Sequence, residues 1–270
     1  MPSSACWDWA VKSSSAVVET DPVTPPNRLS ASSTLSYEQC PAKFYFAKIA
    51  KLPEESGKEA MLGNFVHEVL QALYEMPSEA RTIESGTSLL RQYWDRKWRL
   101  QIRRLRMSQE EEKAWRWQAY WCVEELFKME KPKERTFEGL EKKVTGKIGD
   151  TQFLGFVDRY HREDALVVGD YKTGKHDPRF VDDKVFQMGV YAILGEQTFD
   201  EPVSHAELIF LKSGDLFRIE TDKRVRQQAE DKVQTVVDSL AESASTGKFE
   251  THTSRLCDWC SFKSVCPAWQ

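Results

Sequence analysis

Phe153–Gly174 reads FLGFVDRYHREDALVVGDYKTG. Its first part is apolar up to Val157 and then turns charged, and a second β-rich apolar run spans Ala165 to Gly169. Between them His161, Arg162, Glu163 and Asp164 form an unbroken polar run. The pattern predicts two strands joined by a short polar turn. Asp158 and Asp170 are equidistant from Asp164, so pairing about that turn sets their carboxylates opposite or nearly so. Cross-strand neighbours have Cβ atoms about 4.5–5.5 Å apart. Carboxylates that close repel each other unless a cation lies between them. Lys172 is two residues after Asp170, so strand alternation puts both on one face. Hard oxygen ligands of this kind suit Mg²⁺ or Mn²⁺, and a lysine beside such an ion can orient or polarise a water. Asp-x-Lys alone is equally a surface ion pair, so the remainder of the chain has to decide.

Working outward, Phe137 to Ile148 reads as a preceding strand carrying Glu141, and Pro178 to Gly195 as a following helix. Gln187 and Tyr191 are four apart on that helix and share a face. Ala206–Lys212 and Leu216–Glu220 form a second hairpin, and Asp222–Thr246 a long polar amphipathic helix. Upstream, Glu59–Tyr74 is an amphipathic helix with Leu62, Phe65, Val66, Val69, Leu70 and Leu73 as its apolar stripe. His67 lies beside that stripe, where a lone histidine is ordinarily a satisfied core residue. Ser30–Lys51 reads as two short helices with a corner at Cys40–Pro41, because proline interrupts the pattern there. Residues 1–29, rich in Ser, Pro and Thr without periodicity, read as a disordered tail, although Cys6, Trp7 and Trp9 are unusual in one. The order is helices, three strands, helix, two strands, helix. That predicts one α/β domain over 30–270 with a helical insertion at about 77–133.

Within that insertion Arg91 to Arg106 carries seven basic residues against the single acid Asp95, and five Trp lie from Trp94 to Trp121. Basic and aromatic residues interleaved in this way suit a single-stranded nucleic acid, or else a solvated helix face with buried Trp. The chain has 270 residues, 40% of them hydrophobic and 30% charged, with a net charge of −4. A general basic field is therefore excluded, and any basic binding surface must be local. No apolar run approaches the roughly 18–20 residues of a membrane span, and the N-terminus lacks the features of a signal peptide, so a cytoplasmic location is expected. Of six cysteines, Cys257, Cys260 and Cys266 are grouped at the C-terminal end and Cys40 lies far upstream. In a reducing cytoplasm this suggests metal or cluster binding before disulfides. Four thiolates suit either a 4Fe–4S cluster or tetrahedral Zn²⁺.

Gly63-x-x-x-His67, Glu141, Gly155-Phe-Val-Asp158, Asp170-Tyr-Lys172 and Gln187-x-x-x-Tyr191 occur in the order seen in RecB-type nucleases of the PD-(D/E)XK superfamily. From about Leu29 to Trp269 the chain resembles stand-alone RecB-family exonucleases of actinobacteria and their phages, and is similar to CRISPR-associated RecB-like exonucleases. The resemblance implies a restriction-endonuclease-like α/β core, with a mixed central sheet flanked by helices. Asp158 and Asp170 would bind the divalent metal, with His67 as a further ligand and the Tyr171 carbonyl completing the shell. Lys172 would position the water, and Gln187 and Tyr191 would contact DNA or hold Lys172. Glu141 matches a less constant acidic position. Asp170 stands where Glu is commoner, a variation the family accepts. The resemblance also implies an iron–sulfur staple at Cys40, Cys257, Cys260 and Cys266, with Zn²⁺ as the alternative, and leaves Cys122 as a buried helix residue. The implied activity is exonucleolytic cleavage of DNA, preferring single-stranded ends, in repair, recombination or phage DNA metabolism. The alternatives are a DNA-end-binding subunit working with a helicase or CRISPR integrase, and a cluster-bearing redox sensor. No phosphate-binding Gly-rich loop is present, so the chain cannot drive unwinding itself.

Overall fold

The structure is a computed structural model and describes residues 16–270. In chain order the elements are β1 (Val17–Glu19), β2 (Arg28–Leu29), α1 (Ala31–Gln39), α2 (Pro41–Phe44), α3 (Lys58–Glu75), α4 (Ile83–Tyr93), α5 (Arg99–Ile102) and α6 (Gln109–Met129). They continue with β3 (Gly139–Ile148), β4 (Thr151–Arg162), β5 (Leu166–Lys172), α7 (Val181–Phe199), β6 (Val203–Phe210), β7 (Asp215–Glu220), α8 (Lys223–Thr246) and β8 (Lys248–Glu250). Single π-turns follow α2 and α4, at Tyr45–Ile49 and Trp94–Trp98.

The chain separates into two compact units: residues 27–32 with 55–235, and the N-terminal stretch, described from residue 16 to 26, with 33–54 and 236–270. The first holds a mixed sheet in the order β2-β4-β5-β6-β7, with β3 on the other edge of β4. β4 pairs antiparallel with β3 and β5, β5 runs parallel to β6, and β7 closes the sheet antiparallel to β6. The β4–β5 register is the one the sequence dictates: Arg159 faces Gly169, Tyr160 faces Val168 and Arg162 faces Leu166. Extending that frame by one pair sets Asp158 opposite Asp170. All of β5 up to Tyr171 is buried, as befits a strand with neighbours on both edges and helices against the sheet.

The helical stretch between α3 and β3 packs its apolar faces on α3. Phe65 stacks on Trp115 at 5.4 Å, and Trp94 and Trp98 are buried in the same cluster as Tyr171 and Ile209 of the sheet. Lys97 pairs with Glu68, and the Trp98 indole N–H donates to the same carboxylate at 2.9 Å. The Trp residues of Arg91–Arg106 are therefore core, and its cations stand on the solvent side. α7 packs on β3, β4 and β6.

The second unit corrects the reading of 1–29 as a structureless tail. β1 pairs antiparallel with β8, Val18 facing Phe249, and the Thr251 N–H donates to the Ala16 carbonyl at 2.9 Å. Residues 1–15, with Cys6, Trp7 and Trp9, lie outside the described part of the chain. The two-helix corner at Cys40–Pro41 forms as expected, with Pro41 opening α2. Its core is a small cluster of Ala42, Phe46 and Phe262.

Candidate active site

Three strands and one helix deliver the site. Asp158 and Asp170 are both buried at the hairpin's far end. The Tyr171 N–H donates to Asp158 Oδ2 at 2.5 Å, so the peptide between Asp170 and Lys172 fixes the opposing carboxylate. On the other edge of β4, Leu140 faces Arg159 and Lys142 faces Val157. Glu141 therefore falls opposite Asp158 but leaves the ladder, with φ +47°. A non-glycine residue in the left-handed region costs about 1–3 kcal/mol and persists only where its surroundings impose it. Here the distortion turns Glu141 towards Asp158 and His67. His67 reaches in from α3. Its Nε2 donates to the Tyr171 carbonyl at 3.0 Å, since a carbonyl can only accept. That leaves Nδ1 3.3 Å from Asp158 Oδ1 and 4.0 Å from Glu141 Oε1.

A second chain of contacts holds the lysine. Lys172 Nζ forms an ion pair with Asp170 Oδ2 and donates to Gln187 Oε1 at 3.2 Å. Gln187 Nε2 in turn donates to the Tyr191 hydroxyl at 2.9 Å. Gly155 makes room for this arrangement, because a Cβ there would lie 2.9 Å from Tyr191 Cε1.

The site is short of positive charge. Burial alone would lower the His67 pKa, but the charges of Asp158, Asp170 and Glu141 overcome it and raise it to about 9. Burial and the neighbouring Asp158 push Glu141 up to about 7, against the pull of His67. Burial likewise raises Asp170, opposed by Lys172.

A family model of the PD-(D/E)XK nuclease superfamily matches residues 28–267, which include every residue just described. The chain belongs to the PD-(D/E)XK nuclease superfamily. Its fold is similar to that of a protein from Eubacterium rectale whose crystal structure is named as a putative exonuclease, with a TM-score of 0.58, 15% identity and 87% of each chain covered. The crystal structure of SSO0001 aligns at a TM-score of 0.39 with 14% identity, covering 92% of this chain and 90% of the other. No curated protein matches the chain.

PD-(D/E)XK nucleases use divalent metals, and the donor set fits one. His67, Glu141 and Asp158 present ligand atoms within 4.8 Å of one another. Asp170 lies outside that trio and is turned to Lys172. The Tyr171 carbonyl, expected as a ligand, here orients the His67 ring through Nε2, the kind of outer contact that fixes which nitrogen faces a metal.

Two residues escaped the sequence reading. Arg159 is 2% exposed and runs on the opposite face from Asp158. Its Nη1 donates to Glu130 Oε1 at 2.8 Å and to the Tyr171 hydroxyl at 2.7 Å, and its Nη2 to Glu207 Oε2 at 3.2 Å. Tyr74 also donates to Glu130. Gly169 admits the arginine stem, since a Cβ there would meet Arg159 Cγ at 2.9 Å. This buried fork locks the side chain of the residue whose backbone holds both Asp158 and His67. The other is Lys184, which precedes Gln187 by three residues on α7. Burial and the nearby charge of Lys172 lower its pKa. An α7 stripe of 184, 187 and 191 was the available signal.

In the other unit Cys40, Cys257, Cys260 and Cys266 line one small cavity walled by Phe46 and Phe262. The Ser254 N–H donates to Cys257 Sγ at 3.4 Å. Among the described residues no three of these thiols lie within 4.8 Å of one another. A tetrahedral zinc site with bonds of about 2.3 Å needs sulfurs about 3.8 Å apart.

Proposed function

We propose that the chain is a metal-dependent DNA exonuclease that works from single-stranded ends, in a cytoplasmic repair, recombination or phage DNA pathway. The observation that carries the reading is the convergence of His67, Glu141 and Asp158 beside an Asp170–Lys172 pair on the end of one hairpin. A divalent ion held by His67, Asp158 and Glu141, with Asp170 alongside, would neutralise charge on a phosphodiester and acidify a water. Lys172, steadied by Gln187 and Tyr191, would orient the attacking water through its ammonium N–H groups. Arg159 and Tyr171 keep the hairpin's end in register for that geometry. The four cysteines are read as ligands of a 4Fe–4S cluster that ties the two chain ends, with Zn²⁺ as the alternative occupant.

The test uses end-labelled linear and covalently circular single strands with Mn²⁺ or Mg²⁺. Linear strands should shorten from an end while circles survive. Asp158→Ala, Asp170→Ala and Lys172→Ala should each slow cleavage by about 10²–10⁴-fold, the usual range for a lost acid, base or orienting group. Full activity in Asp158→Ala would sink the assignment, and cut circles would make the enzyme an endonuclease.

A further inference from the structure

A second concavity, of about 520 Å³, lies between α4 and α6. Thr87, Leu90 and Arg91 of α4 and Trp94 of the π-turn that follows it face the groove, and so do Lys113, Arg116, Trp117 and Tyr120 of α6. Each set runs i, i+3, i+4, i+7, the spacing of a single helix face. Two stripes are thus aimed at one groove, and together they supply three cations. Among the described residues no carboxylate lines the groove. Among the described residues none of Arg91, Lys113 and Arg116 makes an ion pair, although Arg116 lies 4.6 Å above the Trp94 ring. In a chain of net charge −4, cations left unpaired around a hollow call for an anion.

The aromatic residues say which anion. Trp94 forms the buried floor, while Trp117 is 47% exposed at the rim and the next-turn Trp121 57% exposed. Trp117 lies nearly perpendicular to Tyr120, with ring centroids 5.4 Å apart, and tilted against Trp121 at 6.4 Å, so the two exposed indoles form an aromatic ledge at the rim. Cations that track a backbone beside rings that accept stacked bases are the recognition chemistry of single strands. In a duplex the bases already stack on each other. Phe65 lines the groove from α3, two positions before His67. Two helical positions turn the side chain about 200°, so the groove opens on the side of α3 away from the candidate metal site.

We propose that this groove is a remote subsite for single-stranded DNA. Phosphates lie against Arg91, Lys113 and Arg116, and a base stacks on Trp117. The substrate class rests on the nuclease reading above, but the site is separable from it. The subsite grips strand well away from the bond being cut, so it favours substrates long enough to pass round α3.

Binding of a fluorescein-labelled oligothymidylate is measured in EDTA, where no cleavage occurs, across a salt series. Arg91→Gln with Lys113→Gln and Arg116→Gln should flatten the log–log salt slope by about 2, since each phosphate contact on a single strand contributes about 0.7. Trp117→Ala should weaken binding at least about fivefold, as loss of one stacked base does. Arg116 contacts Trp94, so the Arg91→Gln/Lys113→Gln pair is measured too, with an expected slope change of about 1.4, and the melting temperature of each variant is recorded. Hydrolysis of a chromogenic mononucleotide diester, too short to reach the groove, should be unchanged. Wild-type affinity and slope in the folded variants would overturn the subsite even if the protein cleaves DNA. Variants that lose binding, beside a wild type that binds the strand but cleaves nothing, would keep the subsite and overturn the nuclease reading.

Discussion

At the end of the β4–β5 hairpin Asp158, His67 and Lys172 are each already bonded to protein. Tyr171 holds Asp158 through its N–H and His67 through its carbonyl, and Gln187 holds Lys172. The cysteine cavity is built differently. Its walls are short 3₁₀ turns and a core of Ala42, Phe46 and Phe262. The Ser254 N–H to Cys257 contact is one of the few bonds that fix a sulfur. The first site is preorganised and its ion would be a guest. The second has little to keep its thiols together, so its occupant would organise the protein around it.

The largest expected effect follows from that difference. Cys260→Ala should lose the cluster and about 4–5 kcal/mol, the scale of closing a loop of some two hundred residues by analogy with a disulfide. Domains are stable by only about 5–15 kcal/mol, so colourless, poorly soluble protein with a much lowered Tm is expected. Wild-type protein prepared without oxygen should be brown and carry iron and acid-labile sulfide. Stoichiometric zinc in its place would assign the cavity to Zn²⁺, and a Cys40→Ala protein that keeps its colour and Tm would remove Cys40 from the ligand set.

A smaller effect tests whether protein bonds hold the sheet site. Arg159→Met takes from the buried Glu130 and Glu207 the cation they share and leaves them only Arg135 and Arg218, so a cost of about 3 kcal/mol is expected, the low end for a broken buried pair. Cleavage measured well below the lowered Tm should fall as well, because Tyr171 is released. Unchanged stability by denaturant titration would show that the fork is dispensable.

Reading Arg159 from sequence was out of reach for a physical reason. Strand alternation shows that it faces away from Asp158, but not that a tertiary pocket of Glu130, Glu207 and Tyr171 awaits it. Glu141 was noticed as an acid, yet its positive φ is imposed by packing and leaves no mark in composition. By contrast, the hairpin's periodicity and the symmetry of Asp158 and Asp170 about Asp164 are local, and the structure reproduces them. The β1–β8 pair eluded the reading because three-residue strands carry almost no periodicity and this pairing spans most of the chain. For Trp94 and Trp98 the sequence left base stacking and burial both open, because basic and aromatic residues interleave there. The 3.6-residue repeat was obscured there by a π-turn.

The smallest effect is on pH dependence. The folded-state pKa of His67, about 9, lies above its ordinary 6.5. Its contribution is complete below pH 6.5 and disappears as pH rises through 9, with an upper bound of about 3 kcal/mol. Glu141, raised to about 7, acts in the same direction, its share fading between pH 4.5 and 7. In EDTA the Tm should therefore fall from pH 6.5 to 9. Mg²⁺ should restore it most at pH 9, where the ion no longer competes with protons. A flat profile without metal would break the contrast between the two sites from the sheet side.

The register of the hairpin carries one more implication, for how such a chain can vary over time. Its turn at Glu163–Ala165 is exposed at its first two residues, and many substitutions there should pass unnoticed. Its length is another matter. One residue added or removed would slip β5 against β4 by a step and turn alternate side chains to the wrong face, parting Asp158 from Asp170 without touching either. A library of this turn should therefore be permissive in spelling and strict in count.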